Sequence, residues 1–458
     1  MKKNFLLLSI VTASSLFAGS DLSSAFQEGK VSGQIRYYYM DEDNKGNLKD
    51  YYGSALGGYL KYETGSLEGF KAGAAIYAAT YLSDNVTSTN IESTAKKGSR
   101  YVVGLMDAAD PDKNQLMNLG EAYISYQKSK TKATVGRMKL NTPFINTEDG
   151  RMIPTLEQGI WVTSKDIQNY ELQAGYINAF WNRSTSDWKS VQDSFGYGYP
   201  QGIAPNGKPS NYGSGNTNTN GVYVASAAYT GIADTKLEVW DYYIQNVFNL
   251  GYFEGSYNKK FGNFTALAGA QYINEKEVGN GGNDDRTKAY MDHGEKSETY
   301  GAKVGVGYDD TLLTLASTVT TDKGRFLFPR EWGKEPLFTF QKRERSDGSG
   351  GSDAWLITLD QDFKGMGLEG LNLKVGYGRY HKPDAKNVVL NKYGLPSYAQ
   401  TNIDLFYTFK GPLKGLVAEY LFTRKSAIGN TYETPLSSTY VFGKNDMNTQ
   451  NLILNYNF

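Results

Sequence analysis

The end of the chain alternates residue by residue. In 447–458, Leu452, Leu454, Tyr456 and Phe458 share one face, and Asn451, Asn455 and Asn457 share the other. A period of two with one apolar and one polar face predicts a β-strand lying between an apolar phase and water. The pattern recurs upstream. Val31, Gly33, Ile35, Tyr37 and Tyr39 oppose Ser32, Gln34, Arg36 and Tyr38. Tyr300, Ala302, Val304, Val306 and Tyr308 oppose Gly301, Lys303, Gly305 and Gly307. Ile403, Leu405, Tyr407 and Phe409 oppose Asn402, Asp404, Thr408 and Lys410.

Eighteen such segments are predicted, at 30–40, 51–64, 70–82, 118–128, 132–140, 155–166, 170–183, 221–231, 236–247, 249–261, 264–277, 297–309, 312–322, 353–363, 371–382, 398–410, 416–428 and 447–458. Their connections fall into two kinds. Short ones lie at 65–69, 129–131, 262–263, 309–311 and 411–415; long ones at 83–117, 184–220, 278–296, 323–350, 383–397 and 429–446. Short turns at one end and long loops at the other predict an all-β, transmembrane, antiparallel up-and-down β-barrel. An even strand count places both termini at the periplasmic, short-turn end.

Composition supports a membrane barrel. Aromatics make up 14% of the chain, with Tyr 36 and Gly 51, yet mean hydropathy is −0.51. Alternation hides the apolar face from any average, and aromatic girdles are what a barrel needs at both interfaces. The one apolar run, Phe5–Val11 behind Lys2 and Lys3 and before Leu16-Phe17-Ala18, is too short to span a bilayer as a helix. It predicts a signal peptide over 1–18, leaving 19–458 as the barrel domain. Removing Lys2 and Lys3 takes two of 48 basic groups from a chain with 48 acidic ones. The mature chain is then slightly acidic, which argues against nucleic acid as a partner. Cysteine is absent and only His293 and His381 occur, so neither a metal centre nor a cofactor is expected.

Closure follows from the solvent. In hydrocarbon every backbone N–H and C=O needs an internal partner, and an open edge has none. A ring of this many strands is too wide for side chains alone to fill, so its lumen holds water or folded-in loops.

The stretch after the fifth predicted strand runs Gly136-Arg-Met-Lys-Leu-Asn-Thr-Pro143-Phe-Ile-Asn-Thr-Glu148-Asp-Gly-Arg151-Met-Ile-Pro154-Thr-Leu-Glu157-Gln-Gly159. It resembles the OprD family of outer-membrane porins, in which a Gly-to-Pro stretch leads into a loop with an Arg-Met/Phe-x-Pro core. The opening Gly29-Lys-Val-Ser-Gly-Gln-Ile-Arg-Tyr-Tyr-Tyr39 looks like that family's first strand. The resemblance implies passive diffusion of small polar solutes, carboxylates or amino acids among them, through a pore with no enzyme activity. It also implies that the third external loop folds inward as the eyelet, and that basic side chains line the lumen.

On this chain, Arg151 falls in the matching loop core. Arg137 and Lys139 are expected on one face of the strand entering it. By alternation Arg36, Lys303 and Lys374 point away from lipid. Glu148, Asp149 and Glu157 are expected to oppose these cations and set a transverse field. Phe458, closing the last strand, resembles the signal that outer-membrane proteins present to the barrel-assembly machinery. Lipopolysaccharide and outer-membrane lipid are expected partners, and a homotrimer is open.

Other readings stay in view. A general porin or major surface protein with a structural or adhesive role would use the long loops instead. A barrel hydrolase would need a nucleophile and base, for which Asp292, His293 and Ser297 are the nearest set. Asp41–Gly46 faintly resembles a calcium loop but carries Lys45 in a ligand slot and lacks the closing Glu. The acidic loop with Asp284, Asp285 and Asp292 offers carboxylates for divalent ions.

Overall fold

A computed structural model describes residues 20–46, 48–87, 101–148, 150–343, 345–429 and 446–458. The expected signal peptide and Asp149 fall outside these.

The strands are β1 (Lys30–Asn44), β2 (Tyr51–Glu63), β3 (Phe70–Asp84), β4 (Gln115–Lys128), β5 (Thr131–Met138), β6 (Leu156–Ser164), β7 (Tyr170–Trp181), β8 (Lys189–Ser190), β9 (Val222–Tyr229), β10 (Thr235–Ile244), β11 (Phe248–Phe261), β12 (Phe264–Glu277), β13 (Lys296–Tyr308), β14 (Thr311–Thr320), β15 (Ser352–Asp362), β16 (Leu371–His381), β17 (Tyr398–Thr408), β18 (Leu416–Ala427) and β19 (Met447–Asn457). β8 is a two-residue piece that pairs only with the end of β7. β7 pairs directly with β9, so the wall has eighteen staves among the described residues. All are antiparallel, and β1 meets β19 with Tyr37 opposite Leu454, closing the ring.

Alternation sets the two faces. On β13, Tyr300, Val304 and Val306 are exposed, whereas Ser297, Thr299 and Gly301 are buried. On β1, Ile35 faces out at 52% exposure while Arg36, Tyr38 and Met40 are buried. Closure gives every stave a hydrogen-bonded neighbour on each side, as a bilayer requires. Turns at one end are as short as Gly262–Asn263, where Gly262 takes φ +60. That left-handed backbone costs glycine nothing and suits a two-residue hairpin.

The predicted strands appear in order, most within three residues of their expected ends. Two differences bear on the site. β5 stops at Met138, because the chain leaves the ladder there. An unpredicted helix, α1 (Ser20–Gln27), precedes β1. It is tied to the short-turn end, where the Ala25 carbonyl accepts from Gly65 N at 2.7 Å and Phe26 O accepts from the Tyr62 hydroxyl. Eight residues carry too little periodic signal to stand out from a spacer.

Large side chains bury themselves among the loops at the other end. Phe144 meets Tyr242 at 5.5 Å and Tyr252 at 5.6 Å, edge to face, and lies 4.9 Å from Phe328. Trp332 stacks on Phe180 at 4.5 Å, and its indole N–H donates to Ser194 Oγ at 2.9 Å. The β5–β6 (139–155), β7–β9 (182–221) and β14–β15 (321–351) connections thus share an aromatic core with β10 and β11.

Candidate functional site

The segment 336–343 follows the buried face of half the wall. Gln271 of β12 donates to Pro336 O (2.9 Å) and accepts from Phe338 N (3.2 Å). Thr339 meets Thr318 of β14 and Tyr380 of β16. Lys342 O accepts from Gln400 and Asn402 of β17 at 2.7 and 3.0 Å. Arg343 donates to Tyr38 Oη of β1 (2.9 Å) and to Asn451 Oδ1 of β19 (2.7 Å).

Between this band, the β5–β6 loop and the wall lies a cavity with about 1300 Å³ of empty space, part of it open to solvent. Its described lining holds seven cationic side chains, Arg151, Arg183, Arg330, Arg343, Arg345, Lys334 and Lys342, against the carboxylates of Glu148 and Glu419. Tyr38, Tyr101, Tyr199 and Phe340 add aromatic faces.

Several cations are already paired. Glu148 binds Arg183 at 2.7 Å and also Arg345. Burial opposes ionisation of Glu148, but Arg183, Arg345 and Arg151 outweigh it and hold its carboxyl below the usual range. Arg330 binds Asp347 at 2.9 Å behind the lining. Lys342 sits between Asp404 (2.7 Å) and Glu419 (2.5 Å). Arg151, Arg343 and Lys334 have no ion-pair partner among the described residues.

Arg151 is 6% exposed. Its Nη1 donates to Gly150 O at 2.7 Å, and its Nε has no hydrogen-bond partner. Its guanidinium lies 5.7 Å from the Tyr101 ring, and that of Arg343 lies 5.3 Å from the same ring. Burial, then Arg343 and Arg183, push Arg151 down to about 10, which leaves it cationic at neutral pH. A Cβ on Gly104 would lie 3.1 Å from both Arg151 Nε and Ser184 Oγ, a tight approach that glycine avoids.

The remaining expected site residues are scattered. Arg36, fully enclosed, donates to Arg151 O at 2.6 Å and to Asn455 Oδ1 at 2.7 Å, so it holds the loop and does not line the cavity. Glu157 is a buried wall residue that accepts from Leu140 N at 2.8 Å, also away from the lining. Lys303 packs over Phe338 at 4.0 Å. Lys374 pairs with Asp360 at 3.2 Å near the short turns. Lys139 faces a second, lower cavity, 3.8 Å from Glu121 and 4.1 Å from the Tyr59 ring.

Arg137 corrects the sequence reading. It does not share a face with Lys139. It lies opposite Ala122 and Gln158 on the outer side, in step with the exposed Val135. There it donates to Gln158 Oε1 at 3.0 Å and to Leu119 O at 3.2 Å. Alternation would have joined 137 to 139 had β5 run on to 140. Once the ladder ends at Met138, the next residue is free to turn inward. Phe458 closes the wall, exchanging backbone hydrogen bonds with Gly33 at 3.0 and 3.1 Å.

Sequence reasoning missed Arg183, Arg330, Lys334, Lys342, Arg343 and Arg345. Five of these fall within 330–345, beside Trp332, Phe338 and Phe340. Basic and aromatic residues mixed in one connection are not the composition of a solvated loop, and that signal was available.

A closed antiparallel ring, apolar outside and polar within, defines a transmembrane β-barrel channel. The chain matches the family described as outer membrane porin, OprD family, over residues 24–458. It belongs to the OprD family of outer-membrane porins, and it is a channel for passive diffusion of small polar solutes across the bacterial outer membrane. Its relatives are porins, which are not enzymes. The fold is similar to that of Pseudomonas aeruginosa OpdK solved with vanillate (TM-score 0.73, 18% identity, 94% of this chain and 99% of that one). It is also similar to P. aeruginosa OccK9 (OpdG), at TM-score 0.73, 18% identity and coverage of 95% and 99%. P. aeruginosa OccK2 (OpdF), in complex with glucuronate, gives TM-score 0.69 and 14% identity with the same coverage. No curated protein matches the chain in sequence.

Proposed function

We propose that the cavity between the β5–β6 loop and the 336–343 band is the eyelet of this channel, and that it selects small solutes bearing a carboxylate. One observation carries the reading. Arg151, which is buried, and Arg343, which is half-buried, flank the Tyr101 ring without a carboxylate partner among the described residues. A buried guanidinium with an unused N–H is costly unless an anion visits it. Glu419 and Glu148 supply the opposing sign, so a solute in transit meets a transverse field in a passage of low dielectric. Vanillate and glucuronate, found with two relatives, are both carboxylates, which agrees with this chemistry.

The test is a planar-bilayer recording of wild type, Arg151→Ala and Arg343→Ala with vanillate, glucuronate and an uncharged sugar. The wild type should prefer anions and show block by the two carboxylates. Both variants should lose part of that preference and that block. Wild-type selectivity and block in both variants would overturn the assignment.

A further inference from the structure

We propose that three barrel-wall glutamates, Glu42, Glu157 and Glu275, are positioning residues that set the shape of the eyelet by pinning the backbone of the loops around it. The proposal rests on the eyelet reading above. All three side chains are fully buried. Glu42 on β1 accepts from Tyr101 N at 2.9 Å and Val102 N at 3.0 Å. Glu157 on β6 accepts from Leu140 N at 2.8 Å. Glu275 on β12 accepts from Leu327 N at 2.9 Å, with Ser297 Oγ at 3.1 Å behind it.

Each glutamate pins a different loop, and each loop sends side chains into the cavity. The β3–β4 connection contributes Tyr101, the β5–β6 loop Arg151, and the β14–β15 loop Arg343. The amides lie outside the strand ladders, so each needs a partner from elsewhere. A wall carboxyl group offers an acceptor oxygen at a fixed height on a rigid stave. Packing alone does not account for glutamate here. Glu157 Oε1 and Glu275 Oε1 have no hydrogen-bond partner, and enclosing such an oxygen is unfavourable where an apolar side chain would fill the space. What glutamate adds is one directional bond to one loop amide.

The experiment compares Glu42→Leu, Glu157→Leu and Glu275→Leu with their Gln counterparts, which keep an acceptor oxygen. Heat-modifiable gel migration reads barrel assembly; bilayer recordings read conductance and carboxylate block. Leu variants should assemble yet show raised, fluctuating conductance and loss of block, and Gln variants should restore both. Wild-type recordings from the Leu variants, while Arg151→Ala still loses block, overturn the pins and leave the eyelet standing. If Arg151→Ala and Arg343→Ala also behave as wild type, the eyelet reading itself fails. Should a Leu variant not assemble, amide hydrogen exchange of the wild-type chain in lipid decides the point. Val102, Leu140 and Leu327 should exchange more slowly than neighbouring loop amides; equal rates overturn the proposal.

Discussion

The wall and the loop core inside it hold together by different means. Each stave bonds to both neighbours along most of its length, and its apolar face needs only to be apolar. Stability there is repetitive, and many side chains are interchangeable. The loop core depends on particular pairs: Phe144 against Tyr242, Trp332 on Phe180, Arg330 with Asp347, Arg325 with Glu295 at 2.7 Å. None of these repeats. A redundant frame thus carries a loop core made of single contacts.

Phe144 gives the largest way to break this division. It is fully enclosed among Tyr242, Tyr252 and Phe328. Truncating a buried Phe to Ala costs about 3–5 kcal/mol. For Phe144→Ala that cost should fall on the loop core alone. Gel migration should stay that of the folded barrel, while single-channel conductance rises and becomes noisy. Unfolding of the whole barrel at a lower temperature, with conductance unchanged, would mean that frame and core are one unit.

Lys392 sharpens the comparison through pH. The side chain is 1% exposed, its Nζ has no hydrogen-bond partner, and the rings of Tyr212, Tyr290 and Tyr393 lie 4.4, 4.5 and 5.6 Å away. Arg325, Arg330, Glu331 and Asp347 of the β14–β15 loop are the charged groups around it. Burial, then Arg325, push the amine down to about 7. The folded value lies below the ordinary one, so between the two the unfolded chain binds more protons and stability rises with pH. Below about pH 7 the charged amine sits in its cage and that contribution is lost. Loop-dependent fluctuation of the current should therefore increase from pH 8.5 to pH 5.5 in wild type and much less in Lys392→Met. An identical pH response in both sinks the idea.

The same contrast explains what could be read from the sequence. In the wall each residue has two options, in or out, and a period of two announces the choice. That is why eighteen staves, the closing Phe458 and the inward Arg36 and Lys303 were legible. The β5–β6 loop could be singled out only through its resemblance to a family, which led to Arg151 and Glu148. The cations of 330–345 reach the cavity because their segment follows the inner wall from Gln271 to Tyr38, and no local pattern encodes a path set by partners as far as 65 and 305 residues away in sequence. Arg137 failed for the opposite reason. The alternating pattern runs two residues beyond the point where the ladder stops.

Arg137 is also where the smallest effect is expected. β4 pairs with β5 only from Ala122 onward, so its edge above that residue lacks a stave alongside. Arg137 reaches Leu119 O there, the Trp188 indole N–H donates to the same oxygen at 3.3 Å, and the guanidinium lies 4.6 Å from the Trp188 ring. Two donors thus stand in for the missing strand. Removing a partly solvated contact of this kind costs about 1–2 kcal/mol. Arg137→Ala should speed amide exchange around Leu119 and leave anion preference at the wild-type value, while Arg151→Ala shifts it. Lysine should not restore the edge, since it cannot bond Leu119 O and Gln158 together while lying flat on an indole. If Arg137→Ala moved selectivity as far as Arg151→Ala does, the side chain would have to face the lumen, and the outer placement would be wrong.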